Sequence, residues 1–155
     1  YDEAQASLSE AQTLFARNDL HWQAADVALR RGLLFARAGD PAEAERVAEQ
    51  GMAHVITLEE AGYEPTLVAS AKLCRGVIAI VGHHYDTALD ALEPRNGGRP
   101  LGPLDGFPGY AHLGAAVLAR ARERPDEEAR ALAAFDALAT HGHLERWMRA
   151  LFDPS

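Results

Sequence analysis

Residues 31–44 read RGLLFARAGDPAEA, and residues 75–88 read RGVIAIVGHHYDTA. The two stretches align without a gap, and in each a run of apolar residues is followed by a short polar break. The break in the first stretch contains Asp40 and Pro41, and Asp can cap free backbone N–H groups while Pro suits the first helical position. Glu43 follows Asp40 at the spacing of a capping box. The repeated stretch therefore predicts two helices joined by a tight turn.

The same helical pattern extends along the rest of the chain. Apolar residues recur at steps of three and four, whereas alternating runs of β-branched residues are missing. Gly39, Gly62 and the pair Gly82-His83 are placed to end helices, because glycine readily adopts the left-handed conformation at a helix end. We therefore expect an all-α protein with a single domain over residues 1–155. The predicted helices cover residues 2–17, 21–38, 41–60, 65–82, 85–93, 110–123, 125–140 and 143–152.

Residues 94–109 read PRNGGRPLGPLDGFPG and interrupt this pattern with five Gly and four Pro. These residues predict a loop, because Pro breaks a helix and Gly leaves many backbone conformations accessible. We interpret the loop as a connector between helix pairs, with a lid or a partner-contacting loop as the alternative. No Gly-Lys-Ser/Thr step follows the glycines, which argues against a phosphate-binding loop.

Composition and charge exclude several classes of function. The 155 residues include 23 acidic and 15 basic side chains, and the net charge of −8 disfavours direct binding to nucleic acid. No apolar run has the roughly 20 residues of a membrane-spanning helix. Cys74 is the only cysteine, so no internal disulfide can form. We therefore expect a cytoplasmic protein with no membrane partner.

Two further copies of the helix pair are present. One starts at Tyr1, and a weaker one contains Leu113-Gly114 and then Pro125. The pattern resembles the tetratricopeptide repeat, in which small residues let two antiparallel helices approach closely. Its spacing is longer than the usual 34 or so residues of that repeat, and so it is more similar to the helical arrays of bacterial MalT-like and LuxR-type regulators.

This resemblance implies an α-solenoid with about eight helices, a concave groove and a C-terminal capping helix. The first helices of each pair would line the groove, and Tyr110 and His112 would lie at its end. The function we predict is non-catalytic: a protein-interaction scaffold of a regulatory or signalling protein that captures an apolar helix or peptide. The alternatives are a sensor domain for a small apolar ligand and a helical enzyme with a site not visible in the sequence. The expected groove residues are Asp26, Leu29, Leu33, Arg37, Leu73, Val77, Ile80, Tyr110 and His112.

The C-terminal segment 143–152 has apolar residues at i, i+3, i+4, i+7 and i+8, which gives one continuous apolar stripe. Such a stripe is typical of a capping helix that covers the end of a repeat array. It could also dock into the groove of its own chain or of a second copy, which would make a homodimer. The interface residues we expect are Trp147, Met148, Leu151 and Phe152.

The histidines and acidic residues do not form a recognisable catalytic or metal-binding motif. The pairs His83-His84 and His141/His143 lack the spacing of zinc ligands, and no HExxH or GxSxG motif is present. We therefore predict no metal, no cofactor and no enzymatic activity.

Overall fold

The computed structural model describes residues 2–62, 65–93 and 108–153, with the side chains of residues 65 and 66 left out. This part of the chain contains eight α-helices and no β-strand. The all-α prediction is therefore confirmed. The helices are α1 (Asp2–Arg17), α2 (His21–Arg37), α3 (Pro41–Glu60), α4 (Pro65–Val81), α5 (Tyr85–Leu92), α6 (Pro108–Ala121), α7 (Pro125–Asp136) and α8 (His143–Ala150).

Helix α7 is four residues shorter than the sequence predicts. The ring of His141 stacks on the ring of Phe135 with 4.2 Å between centroids. His141 Nε2 also donates a hydrogen bond of 2.7 Å to the carbonyl oxygen of Phe135. In a continuing helix that carbonyl would accept from a backbone N–H group four residues later. Here it accepts from the backbone N–H of Leu138, three residues later, at 3.1 Å, and from the His141 ring. Helix α6 also differs, because it begins at Pro108 inside the expected loop; residues 94–107 of that loop lie outside the described residues.

Four of the turns between helices have the same geometry. In each turn one residue has a positive φ, and the next residue donates its backbone N–H to a carbonyl five positions earlier, which is a Schellman motif. Gly39 is one of these residues, as predicted, but in the turn after α4 the positive φ falls on His83 and not on Gly82. The residues with positive φ in the four turns are Asp19 (55°), Gly39 (84°), His83 (59°) and Glu123 (57°).

The start of α3 follows the prediction in part. Asp40 Oδ1 accepts a hydrogen bond from the backbone N–H of Glu43 at 3.2 Å, and Pro41 occupies the first turn. The reciprocal half of the capping box does not form. The Glu43 carboxylate instead pairs with Arg46, and the Asp40 N–H donates to the carbonyl of Phe35.

The main helix contacts join neighbours along the chain. Each helix from α1 to α6 packs against the helix that follows it in the chain. The even-numbered helices also contact one another, in the order α2, α4, α6, α8. Two glycines permit close approaches between successive even-numbered helices. A Cβ at Gly32 would lie 2.7 Å from Ile78 Cδ1, and a Cβ at Gly76 would lie 3.2 Å from Val117 Cγ1. The two glycines are equivalent in the repeated stretches, so the same position brings successive even-numbered helices together.

The buried apolar residues form one continuous cluster that involves helices α2 to α8. Its largest fully buried side chains include Phe135, Leu33, Leu73, Ile78 and Met148. None of the helices in the described residues combines the length and the apolar character needed to cross a membrane.

Candidate functional site

The apolar residues expected to line a groove lie in the core. Their exposed fractions are at most 2%, so their side chains offer almost no surface to a partner in this structure. They share an apolar face of α2 or α4, as the periodicity predicts, but neighbouring helices cover that face. These residues are Leu29, Leu33, Leu73, Val77 and Ile80.

The polar residues expected in the groove have different environments. Asp26 is half-buried and accepts hydrogen bonds of 3.1 Å from Arg30 Nε to both of its carboxylate oxygens. Arg37 is exposed. Tyr110 and His112 are both half-buried on the first turns of α6. Burial, followed by the charges of Cys74 and Glu145, raises the pKa of the Tyr110 hydroxyl, so Tyr110 lies close to both α4 and α8.

Helix α8 packs against α6, contacts α4 through Met148 and faces α2 across a cavity. Met148 is fully buried, and its sulfur lies 3.8 Å from Cys74 Sγ on α4. Trp147 borders a cavity of about 450 Å³ together with Leu34 and Arg37 of α2. At the other end of the segment, the Arg120 guanidinium of α6 lies 5.0 Å from the centre of the Phe152 ring. Gly109 of α6 lies beside the carboxylate of Glu145 on α8. We call this surface the α8-binding face and define it by Leu34, Arg37, Cys74, Gly109 and Arg120.

Polar contacts fix the position of α8 on this face. Arg120 Nη2 donates a hydrogen bond of 3.0 Å to the carbonyl oxygen of Phe152, which closes the C-terminal end of the segment. Arg149 forms two hydrogen bonds to the carboxylate of Asp136 on α7, at 2.9 and 2.8 Å, and a third to Asp153. The bonds to these carboxylates raise the pKa of Arg149. The four interface residues expected from the sequence therefore lie in one segment, with Met148 and Phe152 buried and Trp147 and Leu151 half-buried.

The thiol of Cys74 is not suited to nucleophilic chemistry. It is 3% exposed, and burial raises its pKa from 9.0 to about 12. A nucleophilic cysteine needs a lowered pKa, because the thiolate is the reactive form. In the described part of the chain, no three His, Cys, Asp or Glu side chains are grouped so that they could hold a metal ion.

A buried ion-pair cluster joins α3 to α4. Arg75 is 4% exposed, and its Nη2 atom donates hydrogen bonds of 2.6 Å to both Glu45 and Glu49. His84 Nδ1 lies 3.0 Å from the second carboxylate oxygen of Glu45. Burial opposes ionisation of Glu45, but the bonds from His84 and Arg75 outweigh it and lower the pKa of that carboxyl. The pairing is incomplete, because Arg75 Nη1 is buried without a hydrogen-bond partner in the described part of the chain.

A second polar feature was not expected from the sequence. An open cleft of about 750 Å³ lies between α1 and α3, and Arg31 of α2 forms part of its wall. Arg17 and Arg46 also line it, so one cleft has three cationic side chains in its lining, in a protein whose net charge is −8. The signal was present in the repeat alignment, since Arg31 is equivalent to Arg75. The other residues that line the cleft are Ser9, Gln12, Thr13, Ala16, Gln50, Ala53 and His54.

We compared the chain with protein-family models, with curated proteins and with solved structures, and none of the three comparisons finds a match.

Proposed function

We propose that this protein is a non-catalytic binding module of the tetratricopeptide-like type, with an α-solenoid architecture, whose α8-binding face recognises an amphipathic helix. Two features of the fold support the architecture: the even-numbered helices contact one another in succession, and the same turn geometry recurs four times. In a repeat array each unit contacts mainly its neighbours, which gives this order of contacts.

The observation that carries the proposal is the position of α8. Met148 of this helix is 0% exposed and contacts Cys74, which is distant in the sequence but central to α4. Helix-in-groove recognition uses such apolar anchors at spacings of three, four and seven residues. The apolar stripe of α8 has this spacing, and Arg149 beside it meets a carboxylate on α7. A suitable partner helix would therefore have the same features as α8, which are an apolar stripe and a flanking arginine.

A partner helix would bind by displacing α8. Residues 137–142 join α7 to α8, and a short tether of this kind gives an effective concentration of roughly millimolar. A separate helix of equal affinity therefore binds weakly until α8 is loosened. We propose that this competition is the regulatory element, within a bacterial regulatory or signalling protein of the cytoplasm. A single buried cysteine, which forms no disulfide within the chain, agrees with a reducing compartment.

A labelled peptide with the sequence of residues 140–155 tests the proposal. We expect it to bind the full chain carrying Met148→Ala more tightly than the wild type, because the substitution removes the buried anchor of the tethered helix. A peptide with Trp147, Met148 and Leu151 replaced by Ser has the same length and charge and serves as the control. Fluorescence anisotropy measures the affinity, and circular dichroism checks that the variant remains helical.

Equal binding of the two peptides, or no binding by either protein, would contradict the proposal. Size-exclusion chromatography of the Met148→Ala variant separates two sources of the helix. A stable dimer would mean that a second copy supplies α8, whereas a monomer that binds the peptide supports recognition of a different partner.

The second candidate, a sensor of small apolar ligands, is favoured by the cavity beside Trp147. Its volume of about 450 Å³ is within the usual range of small-molecule pockets. A ligand there would contact Ala4, Leu34 and Trp147. If this candidate is correct, Ala4→Asp removes ligand-induced changes in tryptophan fluorescence without changing the affinity for the peptide, because Ala4 lines the cavity but lies outside the α8-binding face.

A further inference from the structure

Arg31 and Arg75 occupy equivalent positions of the repeated stretches, but their charges are balanced differently. Both side chains are buried, with exposed fractions of 9% and 4%. Arg75 bonds to two carboxylates, Glu45 and Glu49. Arg31 instead bonds to two neutral amides, with Nε 3.3 Å from Gln5 Oε1 and Nη1 2.6 Å from Gln12 Oε1.

The difference arises from two positions of the preceding helix. When Ala4 is aligned with Ala44, as in the repeat, Gln5 corresponds to Glu45 and Ser9 corresponds to Glu49. Helix α1, which precedes Arg31, therefore has an amide and a short hydroxyl where helix α3, which precedes Arg75, has two carboxylates. Ser9 lines the cleft between α1 and α3. Open space is therefore present beside Ser9, at the position that corresponds to the longer acidic side chain of Glu49.

The other groups that line the cleft also suit an anion. Arg17 has no ion-pair or hydrogen-bond partner within residues 2–62, 65–93 and 108–153. Arg46 forms an ion pair with Glu43, which does not line the cleft. Ser9 adds a neutral hydroxyl, whereas the side chains of Thr13, Gln50 and His54 already form hydrogen bonds within the protein. None of the described side chains that line the cleft is Asp or Glu.

The electrostatics of Arg31 agree with a missing counter-charge. Burial, followed by repulsion from the nearby Arg46, lowers the pKa of Arg31, while Glu43 opposes this effect. A buried charge without a full partner is costly, and an oxyanion that accepts several charge-assisted hydrogen bonds would relieve that cost. The negative charge elsewhere on the protein acts weakly at this site, since salt screens interactions beyond about 8 to 10 Å.

We propose that the cleft between α1 and α3 binds a small oxyanion, the phosphate or carboxylate group of a soluble molecule. The anion would lie next to Arg31 as the carboxylate of Glu49 lies next to Arg75. Arg31 is the central ligand, Arg46 and Arg17 bind from the rim, and the hydroxyl group of Ser9 completes the site. The cleft contains no residue of the α8-binding face, so this site does not depend on the proposed helix recognition.

The test uses two variants of the full chain and one control. Ser9→Glu supplies the missing carboxylate from within the chain, as Glu49 does for Arg75. We expect this variant to have a higher Tm than the wild type without ligand and to lose anion binding. Arg31→Gln is expected to weaken binding at least tenfold. Arg130→Gln removes an exposed arginine from α7 and should bind as the wild type does.

Isothermal titration with sodium phosphate, sodium sulfate and sodium citrate, at an ionic strength held constant with sodium chloride, measures the affinity. Tighter binding of phosphate or sulfate would assign a phosphate-type ligand, and tighter binding of citrate would assign a carboxylate. The proposal is overturned if none of the three anions binds the wild type in preference to chloride, or if Ser9→Glu binds them with unchanged affinity. The Ser9→Glu result remains decisive if Arg31→Gln does not fold.

Discussion

The sulfur atom of Met148 lies 3.8 Å from Sγ of Cys74, so a residue of the last helix covers the only thiol of the chain. Because Cys74 is 3% exposed and has a pKa of about 12, alkylating reagents can reach it only when the packing around it opens. The reactivity of this single thiol therefore reports on the docking of α8.

We expect Met148→Ala to increase the rate of Cys74 alkylation by iodoacetamide at least severalfold under native conditions. The truncation removes packing from a buried site, which favours local opening. Mass spectrometry follows the modified fraction with time. Met52→Ala is the matched control, because Met52 is a half-buried methionine on α3 that packs against the same core. Equal rates in the two variants would show that α8 does not control access to Cys74.

Glu123 occupies a left-handed backbone conformation, with φ of 57°, in the turn between α6 and α7. Glycine adopts this conformation without the steric cost of a Cβ, so Glu123→Gly should raise the free energy of unfolding by about 1 kcal/mol. Urea denaturation measures the change. Glu123→Ala removes the carboxylate but keeps the Cβ and should give no such gain. If Ala stabilises the protein as much as Gly, the backbone explanation is wrong.

The helices were largely predictable because their signals are local. Helix starts depend on caps such as Asp40 and Pro41, and the stop at Gly39 depends on one residue that readily adopts a positive φ. The end of α7 was not predictable in this way. There the His141 side chain folds back and donates to the carbonyl of Phe135, which also accepts from the backbone N–H of Leu138.

The candidate sites were harder to predict, since they depend on which faces are covered. Periodicity places Leu33 and Val77 on apolar faces but does not distinguish an open groove from a packed interface, and both residues are buried. The cleft between α1 and α3 was missed for a different reason, because its signal is a difference between equivalent residues and not a periodic pattern. Its signal is the loss of two acidic residues between copies of a repeat, at Gln5 and Ser9, and this loss has meaning only when the structure shows Arg75 bonded to Glu45 and Glu49.

The ion pair between Arg75 and Glu45 has an apolar counterpart further along the chain. Leu113 stands at the position of Arg75 in the weaker fourth copy, and Leu89 stands at the position of Glu45. Leu113 is fully buried, and Leu89 packs against the same core. Two leucines therefore replace the charged pair in the next repeat.

Arg75→Leu alone should destabilise the protein by about 3 kcal/mol, because it leaves the mostly buried Glu45 without its main partner. The double variant Arg75→Leu with Glu45→Leu should recover most of this loss, since replacing both members of a buried pair by apolar residues is often close to neutral. Chemical denaturation of the two single variants and the double variant gives the coupling energy. If the losses of the single variants simply add, the two residues do not stabilise each other.

The two histidines His21 and His54 make the stability depend on pH. Their Nδ1 atoms lie 2.9 Å apart, so at least one ring must be neutral to accept the hydrogen bond. Burial, and then the charge of His21, lowers the pKa of His54 from 6.5. The folded state therefore binds fewer protons than the unfolded state. The stabilisation is complete above about pH 6.5 and is lost as the pH falls through the lowered pKa of His54.

We expect the free energy of unfolding of the wild type to fall between about pH 7 and pH 5, and His54→Gln to reduce that fall. The lowered pKa values of Glu45 and Asp136 do not affect this window, because their ordinary values of 4.5 and 3.8 lie below it. His112→Gln removes one half-buried histidine from α6 and serves as the control. Urea denaturation at each pH measures the change, and an identical pH dependence in wild type and His54→Gln would refute the role of this pair.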